Sequence, residues 1–160
     1  MMTKPEKALL SFIDRHLLQI ALVALTAAAF LLRFSLRDHY SYDYNYYLAL
    51  WYQEIATNGL ARQVGNYNFA YQFLIWCMTK LPIYPLYAYK LLSCAFDLVL
   101  AAVVALILRE TLSSGSEEAA RRKSFLGYCL TLAAPTVFLN SALWAQCDSI
   151  YTAFALLALL

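Results

Sequence analysis

The chain has 160 residues, 62% of them hydrophobic and only 14% charged, with a formal net charge of +2, where soluble domains carry about 25% charged residues. With a mean hydropathy of +0.56, this composition excludes an ordinary soluble domain and reads as a membrane protein. Basic residues gather at Lys4, Lys7 and Arg15 and at Arg121-Arg122-Lys123. They lack the interleaved aromatics of a nucleic-acid surface, so no nucleic-acid partner is expected.

The first apolar run covers about 17 to 36, the ~20 residues that a transmembrane helix needs. A basic flank and Ala27-Ala28-Ala29 are features of a signal peptide, but Phe30-Leu31-Leu32 carry the run past the small residues. It is therefore read as a retained span. Residues 37 to 68 are polar and aromatic. Within them the spacing predicts a helix from Asp43 to about Thr57, with Tyr44, Tyr47, Leu48, Trp51 and Ile55 on one face. Asn58-Gly59 ends it, and such a helix lies in the plane of the membrane surface. The next run, Phe69 to Leu81, reaches roughly 20 Å as a helix against a ~30 Å hydrocarbon core. It is read as a second interfacial or re-entrant helix, turned by Pro82 and Pro85.

A clear span follows at 88–108, with Asp97 inside it. A polar loop, 109–124, contains Ser113-Ser114-Gly115-Ser116. Another span covers 125–143 and is kinked by Pro135. After a turn at 144–148, a last apolar run begins at Ile150 and reaches Leu160 without a polar stop. Carbonyls ending there would lie unsatisfied in hydrocarbon. The expected fold is thus all-α, the N-terminal part of one polytopic transmembrane domain that continues beyond residue 160, and inactive as a fragment. Its spans are 17–36, 88–108, 125–143 and a truncated 150–160, with external loop 37–87 holding interfacial helices. If 69–81 stays on the surface, both basic clusters fall on one side, as the positive-inside rule requires. The N-terminus is then cytoplasmic in a multi-pass plasma-membrane protein, with loop 37–87 and turn 144–148 outside.

Cys77, Cys94, Cys129 and Cys147 form no C-x-x-C pair and read as small hydrophobes. Neither His16 nor His39 has Cys or carboxylate partners at ligand spacing, so no metal site is expected from them. Asp43 and Asp148 fall on the external face, and each reads either as a site carboxylate or as a helix N-cap. Ser41 competes with Asp43 for the cap. Asp97 lies within a span, where an acid is costly unless paired. Lys90, seven residues earlier, is too far along the axis to pair with it. A structural contact between helices is preferred, with Arg33 as one candidate partner. Tyr40, Tyr42, Tyr44, Tyr46, Tyr47, Trp51 and Tyr52 read as an interfacial belt or as the lining of a sugar or polyprenyl-phosphate groove. Arg37 and Arg62 have the forked donors that a phosphate favours.

Three stretches carry a resemblance: SYDYNYYLALWYQEIATNGL (41–60), LPIYPLYAYKLLSCAFDLVLA (81–101) and APTVFLNSALWAQCDSIYTAFALL (134–157). Their order resembles the GT-C glycosyltransferases, which take sugar from a polyprenyl-phosphate carrier. More narrowly, it resembles bacterial relatives of the second mannosyltransferase of glycosylphosphatidylinositol synthesis. The resemblance implies inverting transfer of mannose or another hexose at the external membrane face, with a lipid-linked sugar and membrane lipids as partners. It puts the essential acid at Asp43, with Asp38 second, and turns Gln146 and Asp148 toward the same cavity. Tyr44, Trp51, Arg37 and Arg62 would then meet substrate. Cationic side chains or a bound divalent ion would stabilise the leaving phosphate. Ala145 departs from the pattern, since the relatives usually carry Gly there. The alternatives are a transporter, whose polar groups belong near the midplane of broken helices, or a non-catalytic membrane subunit. The sugar, the acceptor and the oligomeric state are not legible.

Overall fold

The computed structural model describes residues 4–111 and 116–160, apart from the side chains of 4, 5, 7–11 and 14. Ser113, Ser114 and Gly115 of the polar loop, and the side chains of Lys4 and Lys7, lie outside the described residues. All regular structure among the described residues is helical. The helices are α1 (Lys4–Ser35), α2 (Ala49–Asn58), α3 (Phe69–Met78), α4 (Pro85–Thr111), α5 (Glu117–Ala133), α6 (Pro135–Phe138) and α7 (Asp148–Leu157). Two π-helical turns join them, Tyr44–Leu48 ahead of α2 and Leu139–Leu143 after α6.

Among the described residues two segments are long and apolar enough to cross a membrane, Arg15–Ser35 of α1 and Pro85–Thr111, the whole of α4. The second of these spans begins at Pro85 rather than at 88, because a proline at a helix start loses no hydrogen bond. On α1 the apolar side chains stay uncovered, with Val23 and Leu31 each 70% exposed, as suits a surface facing hydrocarbon. The third expected span is not one helix. α5 and the segment Pro135–Leu143 meet at a bend of 48° and pass as a crossing only together. Pro135 has no N–H to donate, and Ala134 before it is held extended at ψ 123°. α3 and α7 have 10 residues each, about 15 Å of helix.

Leu18 and Leu22 of α1 face Ala102 and Leu106 of α4, while Phe30 and Phe34 face Leu91 and Cys94, so the two helices run antiparallel. α5 returns against α4. Gly127 lies at that approach, where a Cβ would stand 2.2 Å from the terminal methyl of Leu108. At the end where α1 finishes, Lys90 donates to the carbonyls of Leu36 and His39, both at 2.7 Å. It thereby caps the turn that leads into the 37–84 segment.

The core sits under that segment rather than midway along the bundle. Tyr44, Leu48, Tyr52 and Ile55 pack on Tyr71 and Ile75 of α3, on Leu86, Ala88 and Tyr89 of α4, and on Ala145 and Cys147. This corrects the expected face. Tyr47 is 47% exposed and Trp51 only half-buried, whereas Tyr52 is buried. The cause is the π turn, in which the Ala49 N–H bonds to Tyr44 O, five residues back. Its wider winding changes the phase of the face that meets the core. Tyr44, expected at a substrate surface, is a core residue at 4% exposure.

Candidate functional site

The 37–84 segment and the turn after α6 meet at one place, and each is held there by local chemistry. Ser41 accepts the Tyr44 N–H at 3.1 Å and donates to Trp144 O at 3.1 Å. It therefore starts the helix and ties it to the turn. The cap reading of Asp43 is thereby overturned, for Asp43 is already helical (φ −60°, ψ −37°) and makes no cap bond. The cap reading of Asp148 fails as well. Cys147 occupies the cap position, and Asp148 begins α7, accepting the Asn140 amide at 2.8 Å.

Freed from capping, Asp43 Oδ2 accepts a hydrogen bond from Gln146 Nε2, 103 residues further on. Oδ1 has no protein partner among the described residues, and Asp43 is half-buried. The Gln146 amide is oriented from its other end, where Tyr67 Oη donates to Oε1 at 3.2 Å. Burial, and then the neighbouring Cys147, push the Tyr67 hydroxyl well above its ordinary range, so it remains a neutral donor at pH 7. Burial likewise pushes Cys147 up and keeps it a thiol.

Tyr67 is set by two devices. Gln72 of α3 accepts from Val64 N at 3.2 Å and donates to Val64 O and Tyr67 O, both at 3.0 Å. Trp51 meets the Tyr67 ring edge-on at 5.4 Å. Gly65 lies against the Trp51 indole at φ +68°, where a Cβ would stand 2.6 Å from the ring. Only glycine meets both the positive φ and the close approach.

Of the residues singled out in the sequence, Asp43, Gln146 and Trp51 thus belong to one contiguous group. Asp148 lies on the same turn as Gln146 but pairs with Asn140. Arg37 is bound to Asp38 at 3.2 Å, stacks over Phe34 at 4.0 Å, and lies by Tyr87, whose hydroxyl donates to Asp38 at 2.8 Å. Arg62 is paired with Glu54 of α2. Both ion pairs are partly or fully exposed, and such pairs contribute ~1 kcal/mol or less. Either arginine can therefore exchange its partner for another anion at little cost. Tyr67 and Asn140 were missed. Asn140 carries the same signal as Asp97, a polar residue within an apolar run. Tyr67 carries none beyond its place in an aromatic segment.

The residues present do not fit a cage for the divalent ion implied by the resemblance. Asp43 and Asp148 are each engaged by a different amide, and no group of three His, Cys, Asp or Glu side chains comes together among the described residues.

Ala145 has φ +62°, the only positive φ of a non-glycine residue among those described. It follows the π turn as its left-handed cap, with Ala145 N bonded to Ser141 O at 3.1 Å and Gln146 N to Asn140 O at 3.0 Å. Glycine normally takes this position. Ala145→Gly should therefore fold as well as the native chain. Ala145→Val should lose about 1–3 kcal/mol through backbone strain, read as a lower thermal midpoint. Equal midpoints for the two variants would contradict the left-handed turn.

Among the described residues, the fold and site define an all-helical protein with two helices able to cross a membrane and a polar, aromatic site built from the segment after the first of them. No protein-family model matches the chain, and no match occurs among curated proteins or solved structures.

Proposed function

We propose that the protein is a membrane glycosyltransferase that moves mannose or another hexose from a polyprenyl-phosphate carrier to a hydroxyl acceptor at the external membrane face. Asp43 acts as general base. The observation that carries this reading is the state of the Asp43 carboxylate. It does no capping, one oxygen is held by Gln146, and the other has no protein partner among the described residues. A carboxylate fixed by one oxygen and open at the other is arranged to receive a proton. The acceptor hydroxyl would give its proton to Oδ1 while its oxygen bonds to the anomeric carbon from the face opposite the phosphate. The bond from that carbon to the phosphate oxygen breaks, and the lipid phosphate leaves with the electron pair. Configuration at the anomeric carbon inverts.

A lipid-linked donor is supported by the groove between α1 and α4, of about 390 Å³, lined by Phe30, Phe34, Ile83, Leu91 and Cys94 with Arg37 among its residues. Its apolar walls suit an isoprenoid chain, and Arg37 suits the phosphate. The transporter alternative draws on Asp97 within α4. That carboxylate is already paired with Arg33 and held by two serine hydroxyls, an arrangement that suits a fixed contact between helices better than the transport of an ion. Protein expressed from its whole reading frame and purified in lipid should transfer sugar from polyprenyl-phosphate mannose or glucose. Turnover with neither donor removes the reading.

The orientation belongs to the same proposal, as do four crossings with α7 opening the last. Arg15 and Arg121-Arg122 line one cleft, at the far end of α1 from Arg33 by about 27 Å. With both basic groups at one end, the positive-inside rule puts that end in the cytoplasm and the Asp43 site outside. Cysteines placed singly at Asn58 and Ser116, with the native thiols removed, should react with an impermeant reagent in intact cells at 58 alone. Reaction at 116 alone, or at both, would mean the opposite orientation or a crossing by α3.

A further inference from the structure

Asp97 is completely buried on α4, and its two oxygens are divided among three donors. Oδ2 accepts Arg33 Nε at 2.9 Å and Ser141 Oγ at 2.5 Å, and Oδ1 accepts Ser149 Oγ at 2.6 Å. The ion pair with Arg33 accounts for the charge. It does not account for the serines, and their place in the chain is informative. Ser141 follows Asn140, and Ser149 follows Asp148, so each hydroxyl stands next to one partner of the Asn140–Asp148 hydrogen bond. Gln146, which reaches Asp43, lies between them.

We propose that Asp97 is a positioning residue for the Asp43 site. By holding Ser141 and Ser149 at once, it closes the 140–149 turn into a single geometry and so decides where Gln146 points. The backbone supports this. Ala145 lies in the left-handed region at φ +62°, and a strained residue of this kind persists only where its surroundings over-determine it. Two charge-assisted bonds to one buried carboxylate, one on each side of Ala145, supply that constraint. Ser141 Oγ also lies 3.1 Å from Val137 O, so without the carboxylate it has a local acceptor and the turn loses its anchor. Neither Asp97 nor the serines touch the reacting atoms, and their effect passes through Gln146. The inference rests on the proposed function for its catalytic consequence alone, because the geometry of the turn can be measured without turnover.

The test places cysteines at Asp43 and Gln146 in protein whose four native cysteines are replaced by alanine. Bridging by dibromobimane, which fluoresces when both thiols react, is then followed. A control pair at Thr26 and Tyr128, whose hydroxyls are 3.0 Å apart between α1 and α5, reports helix packing. Asp97→Asn should lower bridging at 43–146 by about tenfold, the factor equivalent to about 1.4 kcal/mol, and leave the control pair alone. Should that variant disturb both pairs, Ser141→Ala/Ser149→Ala decides the matter, since it keeps the Arg33–Asp97 pair. Loss at 43–146 alone supports positioning. Unchanged bridging in the serine variant, or equal loss at both pairs, overturns it. In the cysteine-intact protein the serine variant should lower kcat and leave the donor KM unchanged. Absence of transfer by the native protein would defeat the glycosyltransferase reading and leave the bridging result to decide positioning.

Discussion

Asp43→Asn is expected to preserve folding and donor binding and to lose sugar transfer by about 10²-fold or more, within the 10²–10⁴ that general-base assistance typically supplies. Folding should survive because the helix start does not depend on Asp43. Ser41 holds the Tyr44 N–H, and the asparagine oxygen can still accept from Gln146. Donor binding should survive because the apolar groove between α1 and α4 contains no part of Asp43. The substitution removes only the ability to take a proton at the open oxygen. The measurement is product per unit time from polyprenyl-phosphate mannose or glucose, with binding of the donor followed separately. Near-normal turnover would show that Asp43 is not the base. Asp148 and Asp38 would then be tried in turn, the first held by the Asn140 amide and the second by Tyr87 and Arg37.

Arg33→Ala is expected to cost about 3–5 kcal/mol, the penalty for leaving one partner of a buried ion pair uncompensated. Arg33 is 5% exposed. Besides Asp97, it donates to Ala29 O at 3.2 Å and Leu132 O at 3.1 Å, so it links α1 to both α4 and α5. Its loss should appear as low yield in the membrane and a large drop in the thermal midpoint in detergent. Arg33→Met/Asp97→Leu should recover much of the stability, because removing both charges also removes their desolvation cost. Of the two serine hydroxyls released in that double variant, Ser141 already has the Val137 carbonyl in reach, while buried Ser149 loses its bond to Asp97 and so offsets part of the recovery. A double variant no more stable than Arg33→Ala would mean that the helices depend on the charges themselves.

What could be read from the chain alone is what depends on neighbours in sequence. The length and apolar content of the runs that became α1 and α4 predict two crossings, because a helix satisfies its backbone internally and only its length must match the bilayer. The shortness of 69–81, the end of α2 at Asn58-Gly59 and the break at Pro135 are local for the same reason. Each follows from a residue count, a glycine at φ +64° or a missing N–H.

The tertiary structure decided matters in which distant residues compete for one hydrogen bond. Ser41 and Asp43 are equally good caps by type, and Ser41 took the role because its hydroxyl can also donate to Trp144, 103 positions away. The π turn at Tyr44–Leu48 has no sequence signature. It widens one helical turn and so exchanged Tyr47 and Trp51 for Tyr52 on the buried face. Gln146 meets Asp43, and Arg33 meets Asp97, across 103 and 64 residues. Hydrophobic periodicity carries no information about such pairs, because a polar side chain in an apolar run states only that it needs a partner. Which partner it finds is settled when the helices pack and the cost of an unsatisfied buried group selects the arrangement that leaves the fewest.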